Sequence, residues 1–216
     1  MTRKWVILLG VKPGHFKFII AELRALADLF SIPASHFSDE AADYARIHYR
    51  FNFTEDDCIN ESKLRDLCSR SVSVQALYEL WDEAESYEKL HENLTQSDPT
   101  YREKYYDSTF AFGIETINRK KMSMQERLAK FESFTQCLPM SGKINLSAPE
   151  CLIVLIENYN NTVNNKPNNK PKSDADLINV SITRFLCNGQ RALVNKYVRR
   201  IIFTVIIMLP YFLDTQ

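Results

Sequence analysis

A run of basic side chains is the feature of this sequence with the clearest chemistry. Arg119-Lys120-Lys121 follows an alternating stretch and precedes Ser123-Met124-Gln125-Glu126, the pattern of a helix capping box. Arg127 and Lys130 fall in the first turns of the same predicted helix. A helix N-terminus beside cations attracts phosphate, because its free N–H groups and dipole favour an anion. The pattern predicts a phosphate-binding turn, and a solvated basic turn remains the alternative.

Most other kinds of site lack the residues they need. The five glycines never form Gly-x-Gly, which a dinucleotide or S-adenosylmethionine loop requires for close backbone approach. No Gly-x-Ser-x-Gly, P-loop or Cys-x-x-Cys occurs, and no two histidines are spaced i, i+4. The acidic pairs fit solvated turns. We therefore predict no cofactor, metal or catalytic residue in this chain.

Charge is divided unevenly along the 216 residues. Residues 1–108 carry 13 basic and 19 acidic side chains, and residues 109–216 carry 14 basic and 8 acidic ones, although the net charge is zero. A basic half beside an acidic half favours one surface that faces a polyanion. The five cysteines are odd in number and widely spaced, which is typical of reduced thiols, so we expect a cytoplasmic protein.

Periodicity predicts alternating strands and helices in the first part of the chain. Trp5–Gly10 is a short apolar run, and apolar residues recur with helical spacing from Phe16 to Phe30. Ala45 to Phe53 alternates as a strand, residues 60–70 favour a helix, and Val72 to Trp81 is rich in β-branched and aromatic residues. The order β-α-β-α-β predicts a small split α/β sandwich.

The second part repeats this logic. A polar helix is predicted from Glu83 to Leu94, a strand from Asp107 to Ile117, and a capped helix from Ser123 to about Phe134. The apolar run Cys151–Ile156 predicts a strand buried on both faces, which completes a second β-α-β unit. Leu177–Leu186 is a further strand candidate, followed by a basic stretch.

Two segments fit no packed element. Residues 160–176 are rich in Asn, Lys and Pro and are predicted to be a linker. Residues 201–213 are apolar except for Thr204, but they are fewer than the 20 or so that a spanning helix needs. We expect a sticky tail or a buried strand there, and a tail anchor is the less favoured alternative.

Several segments resemble the N-terminal region of the eukaryotic tRNA (guanine-10-N2)-methyltransferase family. Arg70–Trp81 and Asp107–Phe110 are similar to that region in order and spacing. Met140–Pro149 resembles the family's Gly-Lys-Val-Asn-Leu-x-x-Pro segment, and Asn188-Gly189-Gln190-Arg191 resembles its Asp-Gly-Gln-Arg, with Asn in place of Asp. The similarity runs from about Trp5 to Arg200.

The resemblance implies an α+β chain with a ferredoxin-like domain at 1–95, a THUMP-like tRNA-binding domain at 105–200 interrupted by the linker, and a divergent tail at 201–216. In the family a Rossmann-type domain follows, which binds S-adenosylmethionine through Asp-Pro-Phe-x-Gly-x-Gly and the target through Asp-Pro-Pro-Tyr. Neither motif occurs in this sequence. We therefore expect a truncated product, inactive alone, whose missing domain would also carry the docking site of the family's small zinc-binding activator subunit.

The expected function is tRNA binding in support of methyl transfer to a guanine amine. The predicted RNA contacts are Arg119, Lys120, Lys121, Lys143, Arg184 and Arg191. Lys143 and Arg184 are chosen for their proximity to the family-like segments. A non-catalytic protein-interaction module, an enzyme with an unrecognised site and a tail-anchored protein remain alternatives.

Overall fold

A computed structural model describes residues 2–9, 16–33, 48–54, 61–117, 122–159 and 177–189. The chain is mixed α+β, as predicted. Its elements, in order, are β1 (Thr2–Leu9), α1 (Phe16–Leu29), β2 (His48–Thr54), α2 (Glu61–Arg70), β3 (Val74–Ala84), α3 (Tyr87–Gln96), α4 (Thr100–Glu103), β4 (Phe110–Ile117), α5 (Met124–Phe134), β5 (Cys151–Tyr159) and β6 (Leu177–Asn188).

The described residues belong to two compact units. The first unit comprises the residues up to Leu80 together with those from Arg184 onward, and the second comprises Trp81 to Thr183. The chain therefore leaves the first unit within β3 and returns to it within β6. The predicted domain bounds of 1–95 and 105–200 stay a prediction.

The first unit contains a split β-α-β arrangement. Its strands lie in the order β2-β1-β3-β6, and β1 is antiparallel to both β2 and β3. Val6, for example, is paired with Arg50 on one side and Tyr78 on the other. Because β2 and β3 both oppose β1, they are parallel to each other, and α2 connects them across it. The element order β1-α1-β2-α2-β3 is the predicted one.

The core of the first unit lies between its two helices and its strands. Ile19, Leu23 and Ala27 are spaced by four residues and form the buried stripe of α1, where the periodicity predicted an apolar face. They pack in one cluster with Leu64 and Leu67 of α2. Each fully buried Leu stabilises the fold by about 1.5–3 kcal/mol, so this stripe holds α1 in place.

The second unit is built on a parallel β-α-β crossover. Its strands lie in the order β3-β6-β5-β4, and β4 runs parallel to β5 in register from Phe110↔Cys151 to Ile117↔Asn158. Helix α5 connects these two strands, and the predicted capping box is present at Ser123 and Glu126. Eight of the nine β5 residues are buried, which confirms the predicted strand with two covered faces.

Two helices differ from the prediction: the short helix α4 was not predicted, and α3 both begins and ends later than expected. Helix α3 begins at Tyr87 rather than at Glu83, because β3 continues to Ala84 and Ser86 then caps the helix by accepting a hydrogen bond from the Lys89 N–H. The polar residues after Trp81 had favoured an earlier start. The predicted linker at 160–176 and the tail at 201–216 lie outside the described residues. Within the described ranges, no helix is long and apolar enough to cross a membrane.

Candidate nucleic-acid interface

Arg184 is buried and ion-paired in the first unit. Its Nε donates to Glu79 at 2.6 Å and its Nη2 donates to Glu61 at 2.8 Å. Only 6% of Arg184 and 2% of Glu79 are exposed, so the guanidinium and its partner are removed from water together. This burial argues against the predicted RNA contact at Arg184, since a phosphate would have to displace two carboxylates.

The same cluster extends to a second arginine on α2. Arg65 donates to Glu61 and to the carbonyl oxygen of Leu186, so it joins the helix to β6. Burial works to raise the pKa of Glu61, but the hydrogen bonds from Arg184 and Arg65 outweigh it and the pKa is lowered. The charged cluster therefore connects α2, β3 and β6 within the first unit.

The N-terminus of α5 already carries a carboxylate, unlike a site that is open to phosphate. The Ser123 side chain accepts from the Glu126 N–H at 3.2 Å, and the Glu126 carboxylate accepts from the Ser123 N–H at 2.8 Å. The helix therefore already has an anion at its N-terminus, where the dipole favours one. A phosphate at this point would meet the Glu126 charge.

Of the two cations of α5, Arg127 is buried and Lys130 is ion-paired. Arg127 is 8% exposed. The Lys130 ammonium forms an ion pair with the fully buried Glu157 and lies 4.5 Å from the ring centroid of Tyr87, whose hydroxyl donates to the same carboxylate. A phosphate at Lys130 would have to compete with Glu157, and a phosphate site that includes Arg127 and Lys130 stays a prediction. Arg119, Lys120 and Lys121 lie outside the described residues, as does Arg191.

A cleft in the second unit has the wrong charge for a polyanion. Its volume is about 440 Å³, and the carboxyl side chains of Glu85, Glu88 and Glu126 line it together with Lys130 and His91. Burial lowers the pKa of His91, with Glu88 acting in the opposite direction, so the ring is neutral at neutral pH. Negative lining of this kind repels phosphate. No group of metal-binding side chains occurs in the part of the chain that the structure describes.

Lys143 is exposed on a loop that is fixed by its backbone. The Phe110 N–H donates to the Lys143 carbonyl at 3.0 Å, and the Asn145 N–H donates to the Phe110 carbonyl at 2.9 Å. At Gly142 an added Cβ would lie 1.9 Å from the carbonyl oxygen of Ser108, so no other residue fits there without a backbone shift. The loop thus holds the backbone of Lys143 in a defined place on the surface.

Lys104 is a second exposed cation near this loop, and the sequence analysis missed it. Its Nζ lies 4.9 Å from the ring centroid of Tyr105, which stacks on Trp81 with centroids 6.1 Å apart. The N–H groups of Ser141 and Gly142 donate to the Tyr106 carbonyl, which ties the Lys143 loop to the same segment. The sequence signal that could have identified Lys104 is a lysine followed directly by two aromatic residues.

Lys143 and the Arg119–Lys121 run are attached at opposite ends of β4. The Lys143 loop pairs with Phe110, where the strand begins, and the basic run follows Ile117, where it ends. Eight residues of strand separate these ends by about 23 Å.

The sequence of this chain matches a known protein family. The Tmrp11 THUMP N-terminal domain model matches residues 5–191. The chain belongs to this family. The match spans both compact units, so the split sandwich and the parallel crossover are parts of the same Tmrp11 THUMP N-terminal domain.

Relatives with curated names agree with the family. The chain is 28% identical over 194 residues to the tRNA (guanine(10)-N(2))-methyltransferase TRMT11 of Mus musculus, covering 88% of this chain and 38% of that protein. It is 22% identical over 186 residues to the tRNA (guanine(10)-N(2))-methyltransferase of Schizosaccharomyces pombe, covering 73% and 39%. The chain therefore spans less than half the length of these relatives.

A solved structure is also similar in part. The crystal structure of PH1313 from Pyrococcus horikoshii Ot3 has a TM-score of 0.49 and 10% identity, covering 87% of this chain and 55% of that one. A likeness of this degree carries no argument about function.

Two described glycines of this Tmrp11 THUMP N-terminal domain serve backbone packing. Gly142 faces the Ser108 carbonyl, and an added Cβ at Gly189 would lie 2.1 Å from the Val74 carbonyl. The glycines of a donor-binding loop would instead face the ligand.

Proposed function

We propose that this chain is the tRNA-binding and positioning part of a tRNA (guanine-10-N2)-methyltransferase. The observation that carries the proposal is the family match across residues 5–191, supported by relatives whose names state a tRNA substrate and a guanine N2 target. In this proposal the chain holds the acceptor end of the tRNA. A methyltransferase domain with a Rossmann-type fold binds S-adenosylmethionine and performs the transfer.

The proposal assigns parts to the two units. The first unit is the ferredoxin-like part, and the second is the THUMP part that grips RNA through its lysines. Lys143, exposed on a loop with a hydrogen-bonded backbone, contacts a phosphate, and Arg119, Lys120 and Lys121 are proposed as further RNA contacts. Phosphate contacts of this kind position a nucleic acid without reading its sequence. Arg191 is proposed as a further contact.

Other partners follow from the same proposal. The small zinc-binding activator subunit of the family would contact the methyltransferase domain rather than these residues. We propose that the protein acts in the cytoplasm. The chain alone is expected to transfer no methyl group from labelled S-adenosylmethionine to unmodified tRNA.

The test is a filter-binding titration of the chain against tRNA over a salt series. We expect binding that weakens steeply with salt, because released counterions drive phosphate contacts. Lys143→Ala should weaken binding several-fold and reduce the salt slope by about one. Lys89→Ala is the matched control, since Lys89 is an exposed lysine already paired with Glu92 at 3.0 Å. Absence of tRNA binding at low salt by the folded wild-type chain would remove the proposal.

A further inference from the structure

Two cysteines that are far apart in the sequence meet in the first unit. Cys68 lies near the end of α2 and is fully buried, and Cys187 lies near the end of β6 and is partly exposed. The pKa of each thiol is shifted mainly by the other thiol. Both belong to the packing of one apolar cluster, with Cys187 against the group that contains Cys68.

The backbone keeps this contact close. The chain after Cys187 passes directly over the end of α2, because an added Cβ at Gly189 would lie 3.2 Å from the Cys68 carbonyl oxygen. The Gly189 N–H donates to the Gln75 carbonyl at 2.9 Å, and Arg65 binds the carbonyl of Leu186. Bonds on both sides of Cys187 therefore fix the end of β6 against the helix that carries Cys68.

The two thiols differ in how readily they lose a proton. The Cys187 thiol raises the pKa of Cys68, with burial acting in the same direction. The Cys68 thiol lowers the pKa of Cys187, and the Arg65 guanidinium adds to this effect. Cys187 is therefore the sulfur with the lower pKa, and it is also the one with more access to solvent.

We propose that Cys68 and Cys187 form a reversible disulfide when the protein meets a peroxide. The Cys187 thiolate attacks one peroxide oxygen, which gives a Cys187 sulfenic acid and releases hydroxide. The Cys68 sulfur then attacks the Cys187 sulfur, the S–S bond forms, and the sulfenic oxygen leaves as water. In sum two thiols are oxidised, hydrogen peroxide is reduced, and two water molecules form.

The disulfide joins elements that chain connectivity leaves far apart. It closes a loop of about 120 residues, and a bond across a loop of that length removes much of the freedom of the unfolded chain. It also ties the end of β6 to α2 next to the family-like Asn188–Arg191 segment. A dithiol reductant would reverse it, because thiolate exchange opens an S–S bond.

The experiment treats the full chain with a small excess of hydrogen peroxide, alkylates the remaining thiols and digests with trypsin. We expect a linked pair of peptides, Asp66–Arg70 with Phe185–Arg191, that disappears after dithiothreitol treatment. Cys68→Ser should leave Cys187 as a sulfenic acid that dimedone traps. Cys187→Ser should leave Cys68 as a free thiol.

Cys137→Ser is the matched control, because Cys137 is a partly buried thiol that donates to the Phe134 carbonyl and should have no effect on the link. The same treatment in denaturant should slow formation of the linked pair at least tenfold. An equal yield in denaturant would overturn the proposal. So would a Cys187 oxidised beyond sulfenic acid without a link to Cys68, or a link from Cys187 to Cys58 instead.

Discussion

Replacing Arg184 with methionine tests whether this arginine stabilises the fold or contacts RNA. Methionine keeps most of the apolar stem but removes the guanidinium. Glu79, which is 2% exposed and receives a 2.6 Å hydrogen bond from Arg184, would then be a buried carboxylate without that partner. We expect Arg184→Met to destabilise the first unit strongly.

The size of the effect follows from the two ion pairs. Breaking a buried pair by removing one partner costs about 3–5 kcal/mol, because the remaining charge is left desolvated. The pair with Glu61, whose side chain is 35% exposed, adds at most about 1 kcal/mol. We therefore expect the free energy of unfolding to fall by about 4 kcal/mol, a large part of the 5–15 kcal/mol that holds a typical domain.

Urea denaturation followed by circular dichroism measures this loss. With a slope of about 2 kcal/mol per molar urea, the midpoint should fall by about 2 M. The double variant Glu79→Met/Arg184→Met removes both buried charges and should recover most of the loss. Lys143→Met is the control, because replacing an exposed cation should change stability by less than about 0.5 kcal/mol.

Two results would refute this account of Arg184. The first is a single variant whose midpoint matches the wild type. The second is a double variant no more stable than the single one, which would show that the lost partner of Glu79 is not the cause. A well-folded Arg184→Met chain that had lost its tRNA affinity would restore the RNA contact that its burial argues against.

Three further predictions rest on other contacts in the second unit. Lys130→Met should lower the free energy of unfolding by about 3–5 kcal/mol in urea titrations, because it removes the counter-charge of the buried Glu157 carboxylate. An unchanged urea midpoint would contradict the ion pair. Gly142→Ala should lower the melting temperature by several degrees, since the new methyl group meets the Ser108 carbonyl, whereas Ala148→Gly on the same loop should have a smaller effect. Burial raises the pKa of Glu115 above its ordinary value of 4.5, with Arg127 opposing, so the folded protein binds a proton there more tightly than the unfolded chain. The stabilisation this gives is complete below pH 4.5 and is lost as pH rises through the folded pKa. The stability of Glu115→Gln relative to the wild type should therefore increase as pH rises from 4 to 7. A difference in unfolding free energy that stays constant over this range, measured by denaturation, would contradict the prediction.

Sequence periodicity was sufficient to predict most of the strands and helices and their order along the chain. The helical spacing from Phe16 to Phe30 and the apolar run from Cys151 predicted a helix and a buried strand that the structure contains. These patterns succeed because a helix or strand exposes a repeating set of side chains, so burial leaves a local trace in the sequence. The Ser123 capping box succeeds for the same reason, since both of its partners lie within four residues.

The partners of the charged groups were decided by the tertiary structure alone. Arg184 and Glu79 are 105 residues apart in the chain, and Lys130 and Glu157 are 27 apart, so nothing local marks these arginine and lysine side chains as buried. A basic residue in a sequence looks the same whether it faces water or a carboxylate. The sequence by itself therefore determined most of the strands and helices and the family resemblance. The fold decided which cations remain on the surface, because a buried charge must find its counter-charge wherever packing brings one.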